Sequence, residues 1–404
     1  MPNTEIETKH FRKGLGLKAQ VKEPLRQDYK GLLVDFAREH DFKLEAPDIT
    51  FRLAKEFGFC YGVDRAVEYA YEARTRFPDR QIYITGEIIH NPYVNRRLLE
   101  MGIEFLDGPY GTPEKFEKAT ADDVVLLPAF GVSTEELGIL RDVGSVLVDT
   151  TCGSVMNVWK NVERYAKTGF TSVVHGKYWH EETKATVSRA THDDGHYLVV
   201  RDMEETELVC RYIETPSEAH GFEQTFSKAC SRGFDPTAHL THVGVANQTT
   251  MLSSESLAIA GRLKRAVEAR YGAAEAEHRF ISFDTICSAT QERQDAVVEL
   301  CAEGVDVMLV IGGYNSSNTT HLAEMCAPQF PTYHIADSEC LESADLLRHK
   351  PIDSSEEVEA RNWLPEGPVK IGITSGASTP DVKVDESIER VLSFRGLTKA
   401  DIEA

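Results

Sequence analysis

Three cysteines of this 404-residue chain recur in one setting, and that recurrence limits the fold more than any other feature. The segments KEFGFCYGVDRAVEYAYEA, SVLVDTTCGSVMNVWKNVERYA and RFISFDTICSATQERQDAVVELC carry Cys60, Cys152 and Cys287. Each runs from an apolar, strand-like stretch through the cysteine into a stretch whose apolar spacing suits one helical face. A second strand, polar loop and helix follow in each repeat, placing His90 at +30 from Cys60, His180 at +28 from Cys152 and Ser316 at +29 from Cys287. A third such element recurs in VVLLPAFGVSTEELGIL, HVGVANQTTMLSSESLAIAG and VKIGITSGASTPDVKVDESIERVL. Nine β-loop-α elements in three groups predict an α/β fold of three similar lobes, each a small parallel sheet covered by helices. The repeats are too long for a solenoid, so three lobes around a shared centre is the economical arrangement. Binding crevices in such sheets lie at the carboxyl ends of the strands, where these loops concentrate the chain's unusual polar residues.

The other five cysteines, Cys210, Cys230, Cys301, Cys326 and Cys340, read as small buried hydrophobes. No CxxC pair occurs, so a metal site must be assembled from distant parts of the chain. The set Cys210, Cys230, His239 and His242 fits no known finger spacing. With 44 basic and 65 acidic side chains the net charge is −21, which argues against a duplex nucleic-acid partner. The longest apolar stretches, such as VMLVIGG, fall far short of the roughly 20 residues needed to span a bilayer. The opening residues carry early acids and no apolar core, so a cytoplasmic protein is expected.

Thiolates converging from three lobes suit zinc or an iron–sulfur cluster. Structural zinc wants a fourth protein ligand, and the repeat offers three. A [4Fe–4S] cluster held by three cysteines leaves one iron open as a Lewis acid. The second and third loops present His90, Asn91, His180, Glu181, Glu182, Thr249, Thr250, Ser316, Ser317, Asn318 and Ser378. Most are neutral hydrogen-bond donors at predicted helix starts, a combination that cradles phosphate without a Walker lysine.

GFCYGV, IIHNPYVNRRLLEMGI, DTTC, HEET, QTTM, DTICSATQERQ, NSSNTTHL and GASTPD stand in one order over about residues 52–385, and with these motifs the chain resembles the 4-hydroxy-3-methylbut-2-enyl diphosphate reductase (LytB) family. The GKYWHEET surroundings are similar to its plant and cyanobacterial branch. The resemblance implies a pseudo-threefold trefoil around a central [4Fe–4S] cluster, held by Cys60, Cys152 and Cys287. It further implies that His90, Ser316, Asn318 and Ser378, with Ser317 beside them, bind the substrate diphosphate. His180, Glu182 and Thr249 would hold the substrate hydroxyl and relay protons, Glu182 having a raised pKa in a closed site. The implied reaction removes the allylic hydroxyl in the non-mevalonate isoprenoid pathway, with the substrate oxygen at the open iron and electrons from a ferredoxin or flavodoxin. Two departures stand out: Phe130 replaces a histidine common in bacterial members, and Asn247 replaces the threonine usual before QTT.

The boundaries that follow are 1–50 for an N-terminal extension, 51–149, 150–283 and 284–384 for the lobes, and 385–404 for a tail. Insertions near 203–240 and 338–366 are assigned no chemistry. Seven Lys/Arg against four acids in the first 30 residues suggest either a solvated arm or a docking site for an acidic ferredoxin. Two rival readings are a quinolinate synthase-like enzyme, also three-lobed with three cysteines, and a non-catalytic anion-binding module. Electron consumption with the allylic diphosphate separates the first, and an iron assay the second.

Overall fold

The computed structural model describes residues 9–191, 195–217, 220–283, 285–352, 354 and 356–403. Glu5 and Glu7 of the charged N-terminal arm, Asp284 of the third cysteine motif, and positions 218–219, 353 and 355 of the two insertions lie outside the described residues. The chain forms two compact units, one of residues up to 13, 80–86 and 104–287, the other of residues 14–79, 87–103 and 288 onward.

The first unit carries two sheets. One has the order β1 (His10–Phe11), β7 (Val146–Asp149), β6 (Val124–Leu127), β4 (Ile82–Ile84), β5 (Ile103–Phe105). The other runs β11 (Phe280–Ser282), β10 (Val243–Asn247), β8 (Thr171–His175), β9 (Tyr197–Val200). The β1–β7, β7–β6, β6–β4, β11–β10, β10–β8 and β8–β9 pairs are parallel, as at Val245 opposite Val173 and Val125 opposite Leu147. The second unit holds β13 (Thr332–Ile335), β12 (Val307–Ile311), β16 (Val369–Ser375), β3 (Ile49–Leu53) and β2 (Lys43–Ala46), parallel except for the β2–β3 pair. A ribbon of β14 (Leu346–His349) and β15 (Val358–Arg361) lies in the same unit. β6, β8, β10 and β12 are buried along their whole length, as strands covered on both faces must be, and VVLL and VMLVI supply the apolar runs that this requires.

All nine expected β-loop-α elements are present, in three sheets. The cysteine strands are shared in a way that the repeat alone does not reveal. β7 leads to Cys152 yet pairs in the sheet of β4 and β6, and β11 leads to Cys287 yet edges the sheet of β8 and β10. β3, which leads to Cys60, pairs with β16 of the third repeat. Each such strand therefore closes the sheet of the preceding repeat, in cyclic order. The cysteines also stand a loop beyond their strands, which end at Leu53, Asp149 and Ser282.

Two of the expected boundaries fall inside elements. The cut at residue 50 falls within β3, and the cut at residue 384 falls within the helix Asp381–Ser393, whose Ile388, Val391 and Leu392 are buried. Nor is the described part of the N-terminal segment a solvated arm. It forms helices Lys18–Tyr29 and Leu32–Glu39, burying Val21, Tyr29, Leu33, Val34 and Ala37. The insertion near 203–240 is partly helical, and its helix Met203–Glu214 adds Val209, Cys210 and Ile213 to the core of the β8–β11 sheet. Burial there pushes the Cys210 thiol up to about 12, in keeping with a packed core thiol.

Candidate active site

In the first unit the site is built on loops after β6, β8 and β10. Cys152 caps the helix Gly153–Lys167 and gives its N–H to the Ala129 carbonyl at 3.0 Å. Next to Ala129, Phe130 meets the His180 ring edge to face, with centroids 5.7 Å apart. His180 and Glu182 are 6% and 1% exposed, at the start of the helix Glu181–Thr191. The Glu182 N–H donates to His180 Nδ1 at 3.1 Å. A nitrogen that accepts carries no proton, so the ring is the neutral tautomer with its proton on Nε2.

Both oxygens of the Glu182 carboxylate are engaged by one residue. Thr249 donates its backbone N–H to Oε1 at 2.6 Å and its hydroxyl to Oε2 at 3.0 Å. The Thr249 carbonyl in turn accepts the Cys287 N–H at 3.3 Å. Thr249 thus ties a buried carboxylate to a cysteine turn through three separate groups. Asn247, the departure in this motif, gives its N–H to Thr285 Oγ1 at 2.8 Å and lies in the same loop system.

In the second unit Cys60 ends a turn held at three points. Its N–H reaches the Ala377 carbonyl at 3.2 Å, the Gly58 N–H reaches Ser375 Oγ at 3.0 Å, and the Gly58 carbonyl accepts from Arg293 Nη2 at 2.7 Å. Gly58 has φ of 77°, and a Cβ there would stand 2.7 Å from Asp381 Oδ1, so only glycine fits without strain. Three loops converge beside this turn. Asn318 Oδ1 accepts the Ala377 N–H at 2.9 Å, Ser378 gives its hydroxyl proton to the His90 carbonyl at 3.2 Å, and Ser316 Oγ accepts the Thr319 N–H at 3.3 Å. A Cβ on Gly313 would lie 2.6 Å from that same His90 carbonyl oxygen, so a glycine is what lets the loops meet. His334 holds the neighbouring turn through Nε2 on the Gly312 carbonyl at 3.0 Å, and burial lowers its pKa to about 4.

His90 is oriented by Glu87, whose carboxylate lies 2.8 Å from Nδ1 and also accepts from Asn95 Nδ2 at 3.0 Å. Ser317 and Asn318 are 4% and 2% exposed, and Asn318 Nδ2 is buried with no partner among the described residues. Asn91 serves as a helix cap on the Val94 N–H, Thr250 accepts from Gln248, and Glu181 is exposed. The three repeat cysteines are all half-buried, and so is Cys230, which was expected to be buried, whereas Cys210, Cys301, Cys326 and Cys340 are buried.

Sequence reasoning missed the supporting residues. Gln248 Oε1 accepts from the Lys177 N–H and the Thr183 hydroxyl, both at 3.1 Å, and so locks the loop after β8 to that after β10. Glu87, Gln248 and Arg293 lie inside quoted motifs or at their edge, but nothing in their spacing marks a buried partner.

The pattern of the LytB protein family matches residues 51–392. The chain is 47% identical to the 4-hydroxy-3-methylbut-2-enyl diphosphate reductase of Gloeobacter violaceus over 392 residues, covering 96% of this chain and 93% of that one. It is 46% identical to the Thermosynechococcus vestitus enzyme of the same name, covering 96% and 95%. A solved structure of (E)-4-hydroxy-3-methyl-but-2-enyl diphosphate reductase, described as the terminal enzyme of the non-mevalonate pathway, superposes with a TM-score of 0.52 at 27% identity, covering 85% of this chain and 99% of that one. A reductase structure from Plasmodium falciparum shares the fold at a TM-score of 0.61 and 21% identity, covering 86% and 90%.

Proposed function

The chain belongs to the LytB family and is a 4-hydroxy-3-methylbut-2-enyl diphosphate reductase by type, and from that premise we propose how its own residues share the reaction. The substrate takes up two electrons and two protons, loses its allylic hydroxyl as water, and leaves as isopentenyl or dimethylallyl diphosphate. Glu182 carries the reading: a nearly unexposed carboxylate held by the N–H and hydroxyl of a single threonine.

A buried carboxylate is poised between two states, since desolvation favours the proton and hydrogen bonds favour the charge. Once protonated, Glu182 hands its proton to the Thr249 hydroxyl, which both accepts and donates, and Thr249 passes a proton to the leaving oxygen. His180, protonated on Nε2, donates a hydrogen bond to the substrate and does not compete for that proton. The diphosphate is taken by Asn318 Nδ2, the Ser316 and Ser317 hydroxyls and His90, with Glu87 orienting the imidazole. Ser378 is a weaker donor, because its hydroxyl proton is engaged by the His90 carbonyl.

The cysteine set fits an iron–sulfur cluster: Cys60, Cys152 and Cys287 are half-buried, and each immediately precedes a helix whose N-terminal dipole offsets thiolate charge. A [4Fe–4S] cluster held by these three cysteines would relay the reducing electrons and offer a Lewis-acidic iron. A ferredoxin or flavodoxin is the electron source and the cytoplasm the place of reaction. Among the described residues no helix is long and apolar enough to cross a membrane.

Glu182→Gln should keep the brown holoprotein absorbance and lose turnover by about 100-fold or more, the usual scale for a positioned proton donor. Near-normal turnover would remove Glu182 from proton delivery. Cys152→Ser should lose the cluster absorbance after anaerobic purification, and an intact spectrum would contradict its role as a ligand.

A further inference from the structure

Resting on the reading that this reductase draws its electrons from outside, we propose that the cleft beside Tyr178 and Trp179 is the docking surface for an acidic one-electron carrier protein. The cleft has a volume of about 590 Å³ and lies wholly within the first unit. Its wall comes partly from the insertion, which supplies Lys228 and Arg232, and partly from the helix after His180, which supplies Lys184. Among the described residues no acidic side chain lines it, and these three cations form no ion pair there. On a chain of charge −21, an unneutralised basic cleft is a focused attraction for a negative partner.

Tyr178 and Trp179 stand at the rim, 38% and 48% exposed, with rings edge to face at 4.9 Å. Exposed Trp and Tyr beside Arg is the composition of a protein-binding hot spot rather than of a solvated loop.

A second cleft, in the other unit, makes the contrast. It is lined by Lys18, Lys22, Arg26, Lys30 and Arg65, but also by Asp35, Asp64, Glu68 and Asp381. Lys18 pairs with Glu68 at 2.8 Å and Lys30 with Asp381 at 3.3 Å, so two of its cations are already paired and four carboxylates offset the rest.

The position of the first cleft also suits electron entry. Trp179 is bonded to His180, the His180 ring abuts Phe130, and the carbonyl of the adjacent Ala129 accepts the Cys152 N–H. A short path of covalent, ring and hydrogen-bond contacts therefore joins the rim to a cysteine of the repeat. Phe130 gains a role as its middle link. Two reduced carriers each give one electron per turnover and leave oxidised. Together with two protons, those electrons balance the loss of water from the substrate.

The test uses the holoenzyme with a plant-type ferredoxin as the probe. Binding of oxidised ferredoxin is titrated at several salt concentrations, and turnover is driven either by reduced ferredoxin or by dithionite with methyl viologen. The paired change Lys228→Glu/Arg232→Glu should weaken ferredoxin affinity tenfold or more, raise the KM for ferredoxin and flatten the salt dependence, with dithionite-driven turnover unchanged. Lys22→Glu/Arg26→Glu should leave the affinity near wild type. Unchanged affinity in the first variant, or a loss confined to the second, overturns the assignment. If Lys228→Glu/Arg232→Glu folds poorly, Lys228→Gln/Arg232→Gln gives the same comparison. Absent dithionite-driven turnover in the wild type defeats the reductase reading itself, while the affinity titration still decides the docking surface.

Discussion

The two ends of the Asn318 side chain do different work. Oδ1 accepts the Ala377 N–H, which fixes the orientation of the amide, and Nδ2 is left buried without a partner among the described residues. A buried, unpaired N–H costs about 1–3 kcal/mol, a cost that is recovered when an anion arrives. Asn318→Asp keeps the acceptor for Ala377 and replaces the donor with a negative oxygen where the diphosphate is proposed to bind. The expected outcome is a KM for the allylic diphosphate raised by roughly 10-fold or more with little change in melting temperature, since about 1.4 kcal/mol corresponds to each factor of ten. An unaltered KM would take Asn318 out of the diphosphate site. At this scale the motif HEET singles out His180 and Glu182, and both lie buried at a helix start. Arg293 shows the opposite case. Within the helix Ser288–Glu303 it reads as one more charged residue, yet it is 3% exposed and spans to the Gly58 carbonyl of the Cys60 turn. Only tertiary folding decides whether a helical arginine faces water.

Among the elements, the helix Leu32–Glu39 is capped from a distance. Asp385, on the helix Asp381–Ser393, accepts the Leu33 N–H at 2.9 Å and the Val34 N–H at 2.8 Å, the two donors that a local cap would otherwise serve. Burial is the main cause that raises the Asp385 carboxyl to about 6, against the pull of those two N–H groups, with nearby Asp381 adding to the rise. The folded chain then holds this proton more tightly than the unfolded chain, whose aspartate titrates near about 3.9. The resulting stability is complete below about pH 4 and is lost as pH rises through about 6. Relative to Asp385→Asn, the wild type should lose up to about 1.4 kcal/mol per pH unit across that window, read by urea unfolding at a series of pH values. Parallel curves for the two proteins would show that Asp385 is charged throughout. The nine strand-helix pairs were legible because each carries its own period and turn residues. The sharing of β3 with β16 was not, since strand pairing over more than 300 residues leaves no local trace in ITFRL.

For the molecule as a whole, the N-terminal segment is part of the folded body and not an appendage. The Leu15 and Leu17 N–H groups donate to Glu72 at 2.6 and 2.8 Å, and Glu72 is 2% exposed. Arg97 reaches Asp28 at 3.0 Å, and Tyr29 packs against Phe59, Tyr71 and Tyr93. Seven basic residues in the first 30 suggested a charged arm, because charge counts say nothing of the buried face on the same helix. Deleting residues 2–30 would leave a buried carboxylate without its donors and uncover an aromatic cluster. The cost is on the order of 3–5 kcal/mol, a large share of the stability of a typical fold. Ferredoxin-driven and dithionite-driven turnover should therefore fall together, with a melting temperature lowered by several degrees. A deletion that kept its melting temperature and lost only the ferredoxin-driven rate would move carrier docking to the N-terminal helix and away from Trp179.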